Sequence, residues 1–82
     1  MSQQDVLHLL EQEKIDQLLE GSLMAEDIAV AMTEAREGNL HGKVRQVLEE
    51  LLKFHELMNI PGHKNRYSEF EKALTMLDEM VD

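Results

Sequence analysis

The segment LHGKVRQVLEELLKFHELM, residues 40–58, carries the strongest structural signal in this sequence. Its apolar side chains recur at steps of three and four, which keeps one face of a helix apolar over several turns. The residues of that face are Leu40, Val44, Val47, Leu48, Leu51, Phe54 and Met58. We expect Asn39 to cap the start of this helix and the segment 59–62, which contains Pro61, to end it. A helix with such a face must bury it, so the segment predicts a helical core.

Outward from residues 40–58, the same periodicity continues through most of the chain. Three further helices are predicted, at about 3–20, 23–37 and 64–81. The connections between the helices are short, and short connections make neighbouring helices antiparallel. The sequence therefore predicts an all-α fold, a small antiparallel helical bundle of three to four helices in one domain (1–82), as a single chain or as a homodimer. The first helix is either the fourth member of the bundle or an arm exchanged with a second chain.

Local cap signals support these boundaries. Ser2 followed by Asp5 predicts an N-terminal cap for the first helix. Gly21 and Gly38 stand where a helix can end in the left-handed conformation, and Ser22 can cap the helix that follows Gly21. The glycines therefore predict where the first and second helices stop.

The composition excludes several classes of function. Among 82 residues, 17 are acidic and 8 are lysine or arginine, so the formal net charge is −9 and we expect no direct binding of nucleic acid. The sequence has no cysteine, which excludes disulfides and thiolate chemistry. The N-terminus lacks the basic start of a signal peptide, and no apolar run is long enough to span a bilayer. We therefore expect a cytoplasmic protein that does not bind a membrane.

Residue types suited to catalysis are scattered rather than grouped. The histidines fall on different predicted elements: His8, His41, His55 and His63. No His-Glu-x-x-His helix occurs, so we expect no catalytic, cofactor or metal site, and we interpret His55 as a residue at the edge of an apolar face. The basic run at 63–66 is interpreted as local charge balance, with an anion site at the start of the fourth helix as the alternative.

Apolar helical surface is the remaining clue to function. A chain of this length buries only about 60% of the surface of its unfolded form, so apolar faces can stay uncovered. We therefore expect a small acidic non-enzymatic regulator that presents amphipathic helical surface to a protein partner, as an inhibitor, escort or regulatory subunit. The residues expected to be exposed for that contact are Leu9, Ile15, Leu19, Met76, Met80 and Val81. Met32 and Met58 are expected to fill the core instead.

A second interpretation rests on the carboxylates in the first half of the chain. They are Glu11, Glu13, Asp16, Glu20, Glu26, Asp27 and Glu34. A row of carboxylates can imitate a nucleic acid and occupy the basic groove of a target. Such a mimic should lose affinity steeply as ionic strength rises, whereas a docked apolar helix should respond little to salt.

The second predicted helix ends in the sequence TEAREG, residues 33–38. The spacing of Thr33, Glu37 and Gly38 resembles the inhibitory helix motif of Fic-family enzyme regulators: Ser or Thr, three free positions, then Glu and Gly or Asn. In that family the glutamate pairs with an arginine needed for the terminal phosphate of ATP. The resemblance implies an antitoxin-like inhibitor of a Fic-type adenylylating enzyme, with Glu37 inhibitory and Thr33 positioning the helix. The alternative is that these residues only end the helix, since glycine is a common residue after a helix end.

Overall fold

A computed structural model describes residues 1–58 and 64–80 of the chain. Most of these residues lie in four α-helices: α1 (Gln3–Leu19), α2 (Met24–Arg36), α3 (Lys43–Leu57) and α4 (Tyr67–Glu79). Consecutive helices pack against each other, α1 on α2, α2 on α3 and α3 on α4. The prediction of an all-α helical bundle is confirmed, and α1 packs as its fourth member within the same chain.

The helices alternate in direction. Gln3 at the start of α1 donates to the carbonyl of Ala35 at the end of α2, with a distance of 2.6 Å. Arg45 near the start of α3 pairs with Asp78 near the end of α4, also at 2.6 Å. The last turns of α1 and α3 therefore lie at one end of the bundle, which we call the upper end. The last turns of α2 and α4 lie at the lower end.

The predicted cap of α1 is present. The Ser2 side chain accepts a hydrogen bond from the N–H of Asp5 at 3.3 Å, and the Asp5 carboxylate accepts one from the N–H of Ser2 at 2.8 Å. This reciprocal pair satisfies N–H groups that the helix itself cannot use. At the start of α2, the Ser22 hydroxyl accepts from the N–H of Met24 at 3.1 Å.

Gly21 and Gly38 end α1 and α2 as predicted. Both glycines have positive φ, +72° and +89°. In each case the N–H of the following residue donates to a helix carbonyl five residues earlier at 2.9 Å. This is the Schellman arrangement, in which a left-handed residue lets the chain turn back and satisfy the last carbonyls.

The start of α3 differs from the prediction. The helix begins at Lys43 rather than at residue 40, so Asn39 is not its cap. Glu34 of α2 explains the difference, because its carboxylate accepts from the N–H of Lys43 at 2.9 Å. The Asn39 side chain instead accepts from the N–H of His41 at 3.3 Å, which forms a turn before the helix. Leu40 lies before α3 but is still buried.

The start of α4 also lies three residues later than predicted, at Tyr67. The Asn65 side chain accepts from the N–H of Tyr67 at 2.9 Å and donates to the carbonyl of His55 at 2.9 Å. Asn65 therefore joins the first turn of α4 to the last turn of α3. The predicted end of the third helix at 59–62 and the last predicted residue of the fourth helix, Val81, lie outside the described residues.

The core draws on all four helices and on Leu40. Its buried apolar residues are Val6, Leu9, Leu10, Ile28, Ala31, Met32, Ala35, Leu40, Val44, Val47, Leu48, Leu51, Phe70, Ala73 and Leu77. Only the first half of α1 contributes to this set, although apolar residues continue along the whole helix.

Candidate functional site

A group of charged and polar side chains is buried in the upper half of the bundle. The carboxylate of Glu13 on α1 lies at its centre and is fully buried. One oxygen of Glu13 lies 2.9 Å from Nε2 of His55 and accepts from Nε2 of Gln17 at 2.9 Å. The other oxygen accepts from Nη1 of Arg66 at 2.9 Å, and Arg66 also pairs with Asp16 at 2.5 Å. We call these five residues the buried cluster.

Both ring nitrogens of His55 are engaged in the buried cluster. The backbone N–H of Arg66 donates to Nδ1 at 3.3 Å, so in the neutral ring the proton lies on Nε2 and is donated to Glu13. The ring also packs against Phe54 and Phe70, with centroid distances of 5.3 and 5.1 Å. The interpretation of His55 as an edge residue is wrong, because polar partners from other elements allow it to be buried.

Glu13 remains charged in this environment. Burial alone raises the pKa of Glu13, because it removes water from the carboxylate. The hydrogen bonds from His55 and Gln17, together with the positive charge of Arg66, outweigh burial and hold the pKa of Glu13 below its ordinary value. A buried charge of this kind is tolerated only while its partners stay in place. The buried cluster therefore fixes the rotation of α1 relative to α3 and α4.

The second half of α1 is amphipathic in the reversed sense. Glu13 and Gln17 form its inner face, whereas Ile15, Leu18 and Leu19 lie on its outer face. These three residues, which we call the α1 ridge, are 46%, 59% and 83% exposed. Because residues at i, i+3 and i+4 share one side of a helix, the α1 ridge is a continuous apolar strip.

Further exposed apolar residues lie at the upper end of the bundle. Leu23, in the turn between α1 and α2, is 85% exposed, and Leu57 in the last turn of α3 is 81% exposed. Met58 is also exposed, so the expectation that it fills the core is wrong. The reason is that α3 ends at Leu57 and the backbone of Met58 is extended, which takes it off the apolar face of the helix.

The structure separates the α1 residues that were predicted to contact a partner. Ile15 and Leu19 are exposed, as expected, and both belong to the α1 ridge. Leu9 is buried in the core, so the expectation that it is exposed is wrong. It lies in the first half of α1, where the apolar residues face inward.

The residues predicted on the fourth helix lie away from the α1 ridge. Met80 is exposed at the lower end, just after α4. Met76 is half-buried and packs against the core, and Val81 lies outside the described residues. The described members of this predicted contact set therefore do not form one surface.

The fold places the carboxylates that were predicted to imitate a nucleic acid in different environments. Glu13 and Asp16 belong to the buried cluster, Asp27 pairs with Lys43 at 3.3 Å, and Glu34 accepts from the N–H of Lys43. The exposed members are Glu11, Glu20, Glu26 and also Asp27, despite its pairing with Lys43. The described residues therefore do not form a continuous row of exposed carboxylates.

The TEAREG segment forms the last turns of α2 and its end. The hydroxyl of Thr33 donates to the carbonyl of Ala29 at 3.2 Å, one turn earlier in the helix. Glu37 is the exposed last residue of the helix end, and Gly38 takes the left-handed conformation described above. Ending the helix accounts for Gly38.

The described part of the basic run at 63–66 lies among acidic groups. Lys64 and Arg66 border a groove of about 340 Å³ beside α1, which is also lined by Asp5 and Glu69. The guanidinium of Arg66 is already held by two carboxylates of the buried cluster. This mixture agrees with the interpretation of local charge balance, while His63 lies outside the described residues.

One feature of the sequence indicates that Glu13 and Gln17 are buried, although the predictions from the sequence did not use it. Glu13 and Gln17 continue the step of three and four set by Val6 and Leu10 on the inner face of α1. A second apolar stripe beside the first hides this continuation, because either stripe could be chosen as the buried one. Which stripe is buried depends on Arg66, which pairs with Glu13 from a distant segment of the chain.

No helix in the described ranges is long and apolar enough to cross a bilayer. Within the same ranges, no three histidine, aspartate or glutamate side chains are grouped so that they could hold a metal ion. Comparison of the chain with protein-family models, curated proteins and solved structures found no match. A function for this chain must therefore be inferred from the buried cluster and the α1 ridge.

Proposed function

We propose that this chain is a small acidic non-enzymatic regulator that binds a protein partner through the α1 ridge, with Leu23 extending the contact. The observation that supports this proposal is the reversed second half of α1. Glu13 and Gln17 face the interior there, while the α1 ridge faces solvent.

The energetics of α1 favour a binding role over a purely structural one. Burying a large aliphatic side chain contributes about 1.5–3 kcal/mol, whereas removing a carboxylate from water costs several kcal/mol before its partners offset the loss. The fold nevertheless buries Glu13 and leaves three aliphatic side chains exposed. Departures from the best local choice are expected where a surface serves a function. A partner that covers the α1 ridge would recover the missing apolar stabilisation.

The buried cluster gives the α1 ridge a fixed orientation. Rotating α1 to bury Leu18 would take Glu13 away from His55 and Arg66, and would also move Asp16, which lies on the same helix, away from Arg66. Such a loss of buried partners is strongly unfavourable. The α1 ridge is thus held outward before any partner arrives, and a preorganised surface binds at a lower entropic cost.

Affinity capture from a lysate of the producing cells tests this proposal. The tagged wild-type chain is compared with the double variant Leu18→Gln/Leu19→Gln, which removes most of the α1 ridge without changing charge. The matched control is Val30→Gln, an exposed aliphatic residue on the outer face of α2. We expect wild type and Val30→Gln to retain the same protein and the double variant to lose it.

Two results would contradict the proposal. One is a partner retained equally by all three chains, which would place the contact elsewhere. The other is the absence of any specifically retained protein at lysate concentrations where the wild-type chain is folded.

A further inference from the structure

We infer that the segment docking on the α1 ridge is an amphipathic helix with an apolar stripe and flanking lysine or arginine residues. This inference rests on the proposed function and adds the chemical class of the partner. Its basis is the shape of the α1 ridge and the charge of its surroundings.

The shape of the α1 ridge suits a helix. Ile15, Leu18 and Leu19 form a narrow strip along just over one turn of α1, and Leu23 lies beyond it, past Gly21. A strip of side chains at steps of three and four packs into the groove between the corresponding side chains of a second helix. A short strip of this kind fits one helix laid along it better than a broad, flat surface.

The charge around the α1 ridge is negative. Residues 11–27 contain six acidic residues and one lysine, Lys14. Arg66 compensates one of these charges within the buried cluster and Lys43 pairs with another, which leaves a net charge of −3 for the six acids with these three cations. Glu11 lies one turn before Ile15, and Glu26 lies one turn after Leu23. A basic flank on the partner would meet these carboxylates.

A second copy of this chain is a poorer occupant of the same surface. Each copy has a formal net charge of −9, so two copies repel each other as they approach. The α1 ridge and its extension are also small beside the roughly 800 Å² per partner of a standard stable interface. A basic helix avoids the repulsion and needs only a short contact.

Fluorescence anisotropy with two designed peptides tests this inference. Both peptides have about 18 residues, long enough to form a helix with one leucine stripe. One carries lysines beside the stripe and the other carries glutamates. We expect the wild-type chain to bind the lysine peptide at least about tenfold more tightly than the glutamate peptide.

Neutral substitutions separate ridge binding from general attraction to an acidic protein. Leu18→Gln/Leu19→Gln should weaken binding of the lysine peptide about tenfold or more, and Val30→Gln should leave it unchanged. Glu11→Gln/Glu26→Gln should weaken it a few-fold, as expected for two exposed ion pairs.

Each failure has its own meaning. Equal binding of both peptides through the α1 ridge would overturn the basic class of the partner and leave the proposed function intact. Binding of the lysine peptide that ignores Leu18→Gln/Leu19→Gln would overturn the inference, because the attraction would then be unspecific. Binding of neither peptide would also overturn it, and the lysate capture would still decide whether the chain binds a protein through this surface.

Discussion

At Glu13, groups from three parts of the chain meet one carboxylate. Gln17 donates from the next turn of α1, while His55 and Arg66 lie 42 and 53 residues further along the chain. The carboxylate stabilises the fold only in its charged form, because every one of these neighbours offers it a donor. This single residue therefore links the stability of the bundle to pH.

The first prediction concerns that link. Folding lowers the pKa of Glu13, so its stabilising contribution is present above the ordinary glutamate value of about 4.5 and is lost as pH falls below it. Glu13→Gln should lower the free energy of unfolding by about 1–3 kcal/mol at pH 7, because a neutral amide is a weaker acceptor. The difference from wild type should shrink as pH falls below about 4.5.

Urea unfolding at several pH values measures this effect. Glu50→Gln, which changes an exposed carboxylate on α3, serves as the control and should follow wild type. A gap between Glu13→Gln and wild type that stays constant across the whole pH range would show that the charge of Glu13 plays no part.

The second prediction concerns Gly38 at the end of α2. A Cβ at this position would meet no atom within 4 Å, so the cost of Gly38→Ala comes from the left-handed backbone alone. We expect Gly38→Ala to lower the free energy of unfolding by about 1–2 kcal/mol. Gly38→Asn should cost less, because asparagine visits this conformation more readily. Equal stability of Gly38→Ala and wild type in urea unfolding would contradict the Schellman interpretation.

At the residue scale, the sequence predicted features whose atoms are close along the chain. The cap formed by Ser2 and Asp5 and the turn at Gly38 involve only a few consecutive residues, so local chemistry is sufficient. Asn39 failed as a cap because the carboxylate of Glu34 reaches the start of α3 from another helix. The pairing of Glu13 with Arg66 could not be predicted either, because Arg66 also comes from a distant segment of the chain.

At the scale of the element, α1 keeps one face inward along its whole length, but that face is apolar in the first half and polar in the second. In the first half, Val6 and Leu10 are buried, and in the second half Glu13 and Gln17 occupy the equivalent inner positions. The periodicity predicted a helix over this range correctly. It could not predict that the inner face becomes polar in the second half, because two stripes were available and partners from distant segments, His55 and Arg66, select the polar one.

The third prediction follows from this division. Leu18→Gln/Leu19→Gln should change the free energy of unfolding by less than about 1 kcal/mol, because both side chains are largely in water already. Leu51→Gln, the same substitution in the core of α3, should lower it by at least about 3 kcal/mol. Thermal unfolding followed by circular dichroism compares the two. A large loss of stability in the double variant would mean that the α1 ridge is covered within the chain.

At the scale of the whole molecule, the core is closed, whereas several apolar side chains at the upper end are exposed. The radius of gyration is 11.9 Å, close to the roughly 11.7 Å expected for a compact chain of this length. The four helices thus complete a core among themselves, yet the α1 ridge, Leu23 and Leu57 remain exposed. The net charge of −9 opposes the approach of a second copy.

The fourth prediction concerns self-association. Sedimentation at micromolar concentration and moderate ionic strength should give the mass of one chain, because like charges oppose pairing through a short apolar strip. A stable dimer that dissociates on Leu18→Gln/Leu19→Gln would contradict this and make a second copy the occupant of the α1 ridge.

Photo-crosslinking from inside the α1 ridge tests the central claim most directly. A photoreactive residue is introduced as Leu19→p-benzoylphenylalanine in the cells that make the protein, and Val30→p-benzoylphenylalanine provides the matched position on α2. If the α1 ridge is the binding surface, position 19 should give one discrete crosslinked protein and position 30 should not. The same crosslinked protein from both positions, or no crosslink from position 19 while the chain is folded, would contradict the account.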